Sequence, residues 1–117
     1  MPTATATYAE QLATIRAALE DKKAADVVAL DLTGVSDTLD YFVIASATSQ
    51  PQLQALERNV AERMRETHGV RPASVEGPSP RWVLLNFGPI IVHLMTPEAR
   101  SFYDLEGLWA DARRVEN

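Results

Sequence analysis

The segment Tyr41-Phe42-Val43-Ile44-Ala45 decides the fold, because it is continuously apolar and rich in aromatic and β-branched residues. A strand with one face in water alternates polar and apolar side chains, whereas an unbroken apolar run is typical of a strand covered on both faces. Residues 33–40, just before it, contain one glycine and two aspartates and predict a turn. Residues 26–32 predict another strand, whose alternate apolar positions share one face: Val28, Leu30 and Leu32.

A first helix is predicted ahead of these strands. It runs from Tyr8 to about Lys23, and residues at spacings of four, three and four form its apolar face: Tyr8, Leu12, Ile15 and Leu19. Residues 1–7 alternate Thr and Ala after Pro2 and predict a flexible N-terminal tail.

A second helix follows the central strand. The Ser49 side chain is predicted to cap the N–H of Gln52, and the Gln52 side chain is predicted to reciprocate in a capping box. Pro51 is tolerated in the first turn of the helix. Gly69 ends the helix. Its predicted buried stripe is Leu53, Leu56, Val60 and Met64.

Three short extended segments come next, at residues 73–76, 82–87 and 90–95. Gly88 and Pro89 between the last two predict a tight antiparallel hairpin, because glycine supplies a positive φ and proline a fixed negative one.

A final helix begins after Thr96, with Pro97 at its first position, and Gly107 interrupts its pattern in a way that allows two short pieces. Its apolar positions are Phe102, Leu105, Leu108, Trp109 and Ala112.

The predicted order of elements is α, β, β, α, β, β, β, α, which indicates an α/β protein. We expect a mixed sheet of about five strands with helices on its faces. The helical crossover from the second strand to the third permits a parallel pairing, whereas the later hairpin is antiparallel. The chain contains no repeat and no internal linker, so residues 8–117 are predicted to form a single domain.

Composition excludes several classes of protein. The chain has 117 residues, no cysteine and a net charge of -5. Without cysteine there is no disulfide framework, thiol nucleophile or cysteine-ligated zinc or iron–sulfur site. The sequence also lacks an apolar run of the roughly 20 residues that a membrane helix needs, and it lacks a signal sequence. We therefore expect a soluble, cytoplasmic protein.

The acid excess lies mostly in one early segment. Residues 25–48 contain four aspartates and no Lys or Arg: Asp26, Asp31, Asp37 and Asp40. One interpretation is turn and cap chemistry, since aspartate is common in turns and at helix starts. The other is a surface complementary to a basic protein. Binding through nucleic-acid phosphates is disfavoured, because it depends on clustered Lys and Arg.

The common enzyme signatures are absent from the sequence. The only two histidines, His68 and His93, do not have metal-ligand spacing. His68 falls at a predicted helix C-terminus, where capping is the simpler interpretation, and His93 falls in a strand as a partnered structural residue. No Gly-x-Ser-x-Gly turn, glycine-rich phosphate loop or Asp-x-Asp pair is present.

A predicted proline-rich loop, which contains Gly77-Pro78-Ser79-Pro80, leads into a predicted strand that opens with Trp82. Tryptophan is strongly enriched at protein–protein hot spots, which suggests a binding anchor. A tryptophan that caps the edge of the core explains the position equally well.

Six segments of the chain form a recognisable set: Asp21-Lys22-Lys23-Ala24-x-Asp26-Val27-Val28-x-Leu30-Asp31, Asp40-Tyr41-Phe42-Val43-Ile44-Ala45-Ser46, Glu76-Gly77, Trp82-Val83-Leu84-Leu85, Ile91-Val92-His93-Leu94, and Phe102-Tyr103-Asp104-Leu105-Glu106-x-Leu108-Trp109. Taken together, they resemble the ribosomal silencing factor family, also called Iojap-like, in order and without large gaps from about residue 8 to 112.

The resemblance implies a translation factor that is not an enzyme and needs no cofactor. Such proteins bind the large ribosomal subunit at the ribosomal protein called L-fourteen and block its joining with the small subunit, which represses translation when nutrients are short. They form homodimers off the ribosome, and their fold resembles nucleotidyltransferases without the catalytic aspartates. The alternatives are a degenerate nucleotidyltransferase-like nucleotide-binding protein, a large-subunit assembly factor and a dimeric scaffold with no ribosomal role.

The resemblance also implies where the partner binds, since the family's partner surface includes a Glu-Gly pair and the strand with the tryptophan. No catalytic, cofactor-binding or metal-binding residue is implied. The partner-binding residues are expected to be Glu76, Gly77, Trp82, Leu84, Asn86 and His93.

This sequence departs from the family pattern at two places. The family usually has Asp-Tyr-Gly-Asp at the hairpin, where this chain has Asn86-Phe87-Gly88-Pro89 and so lacks two carboxylates. The usual Gly-x-Ser-x-Arg-Gln is Ala47-Thr48-Ser49-Gln50-Pro51-Gln52 here, without the glycine and the arginine. These departures bear on the acidic part of the contact and leave the fold unaffected.

Overall fold

In the computed structural model, which describes residues 7–115, helices and strands follow the predicted order with two additions near the C-terminus. The elements are α1 (Tyr8–Asp21), β1 (Ala25–Asp31), β2 (Tyr41–Ser46), α2 (Gln50–His68), β3 (Ser74–Ser79), β4 (Trp82–Asn86), β5 (Ile90–Met95), α3 (Pro97–Tyr103), α4 (Leu105–Leu108) and β6 (Arg113–Arg114). Of the predicted tail, residues 1–6 lie outside the described residues, and Thr7 caps α1. The bounds of the tail and of the 8–117 domain stay predictions.

The strands form one mixed sheet in the order β3-β4-β5-β2-β1-β6. This confirms the predicted α/β class with a mixed sheet. The parallel pair is β2 with β5, whereas the sequence predicted that β2 could pair with the strand directly after α2. The difference arises because α2 delivers the chain to the far edge of the sheet, and the two antiparallel steps β3–β4 and β4–β5 bring it back to β2.

The sixth strand was not predicted. β6 comprises only Arg113 and Arg114, a charged pair that gives no strand signal. It pairs antiparallel with Leu30 and Asp31 at the edge of β1. An ion pair of 2.7 Å between the Arg113 guanidinium and the Asp31 carboxylate holds this edge. The strand is thus stabilised by a side-chain contact, although its residues have low strand propensity.

Strand β2 is covered on both faces, as its unbroken apolar run predicts. Val43 and Ala45 face α1 and α2 and belong to the larger hydrophobic cluster. Phe42 and Ile44 point to the opposite face, where they meet Met95. The stripe predicted for α2 is buried in the larger cluster as predicted: Leu53, Leu56, Val60 and Met64.

The caps of α2 follow the sequence closely. Ser49 accepts a hydrogen bond from the Gln52 N–H, and Gly69 ends the helix with φ 68 in the left-handed region that favours glycine. The predicted reciprocal bond is different, because the Gln52 carboxamide oxygen accepts from the N–H of Thr48, at 2.8 Å. The same carboxamide donates to the carbonyl of Lys23, at 3.0 Å, and so ties the start of α2 to the end of the α1 loop.

The break between α3 and α4 falls at Asp104 and not at Gly107, which corrects the prediction. Asp104 has φ 48, in the left-handed region, and its carboxylate caps α4 by accepting from the Gly107 N–H at 3.1 Å. A Cβ at Gly107 would collide with that carboxylate, so a larger residue there would have to displace the Asp104 side chain and its cap.

Two of the apolar positions predicted for this helix lie on the surface. Phe102 is 81% exposed and Leu108 is 73% exposed. Leu105, Trp109 and Ala112 pack on the second sheet face, the one to which Phe42 and Ile44 point. The turn at Asp104 rotates the chain between the two short helices, so a single helical periodicity does not describe both.

We expect Leu56→Ala to lower the free energy of unfolding by about 2–5 kcal/mol, because it removes buried methyl groups and leaves a cavity. Leu56 is fully buried on α2. Leu108→Ala is the matched control, with an expected change below about 0.5 kcal/mol because its side chain is exposed. Urea unfolding followed by circular dichroism measures both, and equal losses would contradict the burial assigned to the two leucines.

Candidate functional site

Most of the predicted partner-binding residues lie together on one face of the sheet. In the register of the strands, Glu76 is opposite Leu84, and Leu84 is opposite His93. Directly opposed residues point to the same face, and so do residues two apart on one strand. The β3–β5 face therefore includes Glu76, Trp82, Leu84, Asn86, Ile91 and His93, together with Ser74 and the buried Met95.

The β3–β5 face is partly open. Leu84 is half-buried, whereas its neighbour Leu85, which points to the other face and faces α2, is completely buried. Ile91 and Asn86 are likewise half-buried, and Glu76 is exposed. Apolar side chains in the middle of a sheet are accessible here because α3 and α4 lie over only the neighbouring part of this face.

Gly77 is in strand β3, which corrects the prediction that this segment is a loop leading to Trp82. The strand continues to Ser79 across a register irregularity between Glu76 and Ser79, and the chain turns at Pro80 and Arg81. An added Cβ at Gly77 would meet only ordinary contacts, the nearest being the Trp82 carbonyl oxygen at 3.9 Å. Space therefore does not require glycine at this position.

Trp82 sits at the boundary between the core and the β3–β5 face. It is half-buried and packs on the smaller hydrophobic cluster, which contains Phe42, Ile44 and Met95. Its ring centroid lies 4.8 Å from that of Tyr103. The core-edge and binding-anchor interpretations are thus compatible, since one part of the indole is buried and another is accessible.

His93 lies beneath Trp82 and is only 3% exposed. The Trp82 indole Nε1–H donates to His93 Nδ1 at 3.1 Å, as expected for a partnered structural histidine. Because the indole nitrogen can only donate, Nδ1 accepts and the neutral ring carries its proton on Nε2. That Nε2 is buried and has no hydrogen-bond partner within residues 7–115, at a cost of about 1–3 kcal/mol.

Sequence reasoning missed two aromatic residues that extend the site, Phe102 and Tyr103. Tyr103 contacts Trp82, and Phe102 packs edge to face on Tyr103 with centroids 5.0 Å apart. Beside them is an open groove of about 450 Å³ between the β3–β4 turn and α3. Its lining includes Arg81 and Glu98. The sequence signal that could have identified these two residues is the Phe-Tyr pair directly before Asp104, the residue at which α3 ends and which caps α4.

The position of α3 and α4 depends on Arg100. Its guanidinium donates to both carboxylate oxygens of Glu106, at 2.9 and 3.1 Å, and to the hydroxyl of Ser46 at 2.9 Å. The hydrogen bonds from Arg100 lower the pKa of the Glu106 carboxyl. This bridge ties α3 and α4 to the end of β2 and so fixes Phe102 and Tyr103 beside the β3–β5 face.

Two of the four aspartates in the acidic segment have structural roles. Asp31 accepts from the N–H and hydroxyl of Thr33, at 3.0 and 2.6 Å, and these bonds lower the pKa of its carboxyl. Asp26 has φ 52 at the register irregularity of β1. Turn chemistry therefore accounts for Asp31, and Asp26 supplies a left-handed backbone conformation at the irregularity in β1.

His68 ends α2 and lies against α1. Its Nε2 is 2.8 Å from the hydroxyl of Thr14, so it links the two helices in addition to its place at a helix C-terminus. Among residues 7–115, no group of three or more His, Asp or Glu side chains is arranged to hold a metal ion. Within the same residues, none of the helices combines the length and the apolar character needed to span a membrane.

The fold and the β3–β5 face place the chain in the class of small α/β proteins with a mixed sheet and one sheet face left partly open. A family model described as "Ribosomal silencing factor during starvation" matches residues 5–117. The chain belongs to the ribosomal silencing factor family, which confirms the resemblance seen in the sequence.

Curated relatives support the same assignment. The Ribosomal silencing factor RsfS of Bacillus subtilis is 41% identical over 97 residues, which cover 82% of this chain and 81% of that protein. RsfS of Halalkalibacterium halodurans is 38% identical over 100 residues, covering 85% of each. The chloroplastic Protein Iojap of Arabidopsis thaliana is 31% identical over 82% of this chain and 40% of that protein.

Solved structures confirm the mixed α/β fold. A crystal structure of a protein from Chromobacterium violaceum matches with a TM-score of 0.84 at 33% identity, covering 90% of this chain and 88% of that one. One from Bacillus halodurans matches with a TM-score of 0.79 at 35% identity, covering 93% and 99%. The expected likeness to nucleotidyltransferases is not confirmed by these structures and stays a prediction.

Burial of His93 predicts a pH dependence of stability. Desolvation disfavours the imidazolium and lowers the pKa of His93 from 6.5 to about 4. Between these values the unfolded chain binds a proton that the folded chain does not, so stability is lost as the pH falls through this window. The shift corresponds to roughly 3 kcal/mol at its lower end.

The measurement is urea unfolding across that pH window for the wild-type chain and for His93→Asn, which has no titratable group at this position. We expect the variant to lose less stability over the same window, while His68 is unchanged in both proteins. An identical pH profile for the two proteins would show that His93 is not the group responsible.

Proposed function

We propose that this protein binds the large ribosomal subunit through the β3–β5 face and, while bound, keeps the small subunit from joining. The observation that carries the proposal is the open, partly apolar β3–β5 face, bordered by exposed aromatic rings, in a chain of the ribosomal silencing factor family. The expected result is reduced translation when nutrients are short.

The make-up of the surface supports a protein as the contacted partner. Trp82, Tyr103 and Phe102 form a contiguous aromatic group, with Leu84 beside Trp82 on the same face. Interfaces between proteins typically have an apolar, aromatic centre inside a polar rim, and tryptophan and tyrosine are common hot spots. Exposed aromatic rings of this kind need a partner surface to remove them from water.

Charge around the aromatic group supports a basic partner. Glu98 lines the groove beside Phe102 and Tyr103 together with Arg81, Asp104 follows Tyr103 in the chain, and Glu76 lies opposite Leu84 on the same face. None of these three carboxylates takes part in a salt bridge within residues 7–115. Complementary charge favours association with a positively charged surface, so we assign the contact to the ribosomal protein called L-fourteen, as the family resemblance implies.

The same charges disfavour ribosomal RNA as the main contact. Affinity for an RNA backbone comes from several Lys and Arg side chains that displace counterions. The β3–β5 face contains no Lys or Arg, and the whole chain has a net charge of -5. Docking on a ribosomal protein lets an acidic chain attach to an RNA-rich particle.

In this proposal the protein acts by steric exclusion and needs no catalytic group or cofactor. A rigid domain held on the joining surface of the large subunit occupies space that the small subunit would fill. The work takes place in the cytoplasm, where the subunits are. Off the ribosome, the exposed rings favour self-association, so the homodimer implied by the resemblance forms part of the proposal.

Light scattering or sucrose gradients with purified subunits test the steric block. We expect a stoichiometric amount of the protein, preincubated with large subunits, to reduce the fraction of joined ribosomes. The effect should be weaker when the protein is added after joining, because the binding surface is then covered. Unchanged subunit joining with saturating protein would refute the proposed function.

Two surface variants test the assigned face. Phe102→Ser should weaken co-sedimentation with large subunits tenfold or more, equivalent to about 1.4 kcal/mol, because it removes one ring of the aromatic group without changing the charge. Glu76→Lys should weaken binding more at low salt than at high salt, since screening reduces charge effects. Both side chains are exposed, so the fold should be unaffected.

Glu62→Lys is the matched control for Glu76→Lys. It makes the same change of charge at an exposed position on α2, which covers the opposite face of the sheet. We expect it to bind like the wild-type chain. Equal weakening by both lysine variants would show that net charge, and not the β3–β5 face, governs the contact.

A further inference from the structure

The Trp82–His93 hydrogen bond links the accessible aromatic group to the interior of the sheet. Trp82 presents its indole at the edge of the β3–β5 face, while His93 is almost completely buried one strand away. The strand register places His93 opposite Leu84, and the His93 ring packs edge to face on Phe42 with centroids 4.5 Å apart. His93 is therefore held firmly and has little surface to offer a partner directly.

We infer that His93 is a positioning residue: by accepting the Trp82 Nε1–H at its Nδ1, it fixes the orientation of the indole that the partner contacts. The functional meaning of this role rests on the proposed function, but the orientation itself is a property of the free protein. His93 thus serves the partner-binding surface through Trp82 and not by contact of its own.

Packing alone does not explain a histidine at this position. The fold requires a side chain of similar size between Phe42 and Leu84, and an apolar residue would satisfy that requirement without burying a polar atom. The histidine instead leaves its Nε2 buried without a partner within residues 7–115. What it supplies in return is the acceptor at Nδ1, and the group that uses this acceptor is the Trp82 indole.

Orientation of the indole matters because Trp82 is only half-buried, at the boundary between the core and the β3–β5 face. Tyr103, its aromatic neighbour, is itself 39% exposed. A half-buried side chain that is free to change rotamer must be ordered when a partner binds, which reduces affinity. The bond to His93 removes that freedom before binding.

The decisive experiment uses nuclear magnetic resonance of the free protein, because the chain has only two tryptophans. Trp109 packs on Phe42 and serves as the internal control for the indole N–H signal of Trp82. His93→Leu removes the acceptor, whereas His93→Asn keeps a carbonyl oxygen near the Nδ1 position. We expect the Trp82 indole N–H to exchange faster with solvent in His93→Leu and to be protected again in His93→Asn, with Trp109 unchanged.

The same variants are then tested for co-sedimentation with large subunits. We expect His93→Leu to bind about two- to tenfold more weakly, from the ordering of one side chain, and His93→Asn to bind close to wild type. Unchanged indole exchange in His93→Leu, or no restoration by His93→Asn in either measurement, would overturn the inference. If the wild-type chain does not bind large subunits, the proposed function fails while the exchange data still decide the positioning role.

A measurement on the wild-type chain keeps the inference testable even where His93→Leu does not fold. Long-range nitrogen–proton correlation identifies which ring nitrogen of His93 carries the proton. The inference requires a neutral ring with the proton on Nε2 at neutral pH. A proton on Nδ1, or an imidazolium, would exclude the hydrogen bond from Trp82 and overturn the proposal.

Discussion

The parallel pairing of β2 with β5 is the contact on which the rest of the structure depends. It joins two antiparallel groups of strands, β3-β4-β5 and β2-β1-β6, through six consecutive residue pairs from Tyr41–Ile90 to Ser46–Met95. These residues are far apart in sequence, so the entropy of closing the loop must be offset by burial on both faces. The apolar run of β2 supplies that burial, and the same pairing brings Phe42 beside His93.

The site exists because the two faces of the sheet are covered unequally. Helices α1 and α2 bury the first face, where Leu85 is inaccessible. On the second face α3 and α4 are short and are held near β2 by the Arg100–Glu106 pair and Ser46. The strands beyond them remain partly open. The turn at Asp104 ends α3 after 7 residues, and the two short helices leave the β3–β5 face partly accessible.

Elements with strong local signals could be predicted from the sequence, and those set by distant contacts could not. The stripe of α2, its caps at Ser49 and Gly69, and the doubly covered β2 follow from periodicity and capping chemistry. The partner of β2, the strand β6 and the exposure of Phe102 depend on contacts between distant parts of the chain. For the candidate site, the strand positions of Trp82, Leu84 and His93 were predictable, whereas that of Gly77 was not. The burial of His93 and the contribution of Tyr103 required the packed sheet.

The acidic composition has a different meaning once the carboxylates are assigned to their surroundings. The Asp31 carboxylate is bound by Thr33 and Arg113, and the Glu106 carboxylate is bound by Arg100. The charge of each carboxylate is therefore partly neutralised inside the protein. In the proposed function, the carboxylates that face the partner are those near the aromatic group without an internal salt bridge. A net charge of -5 describes solubility and long-range repulsion of nucleic acid, but the local unpaired charge determines which surface can dock. An acidic protein can therefore act on a particle made largely of RNA, provided that its contact surface faces one of the particle's basic proteins.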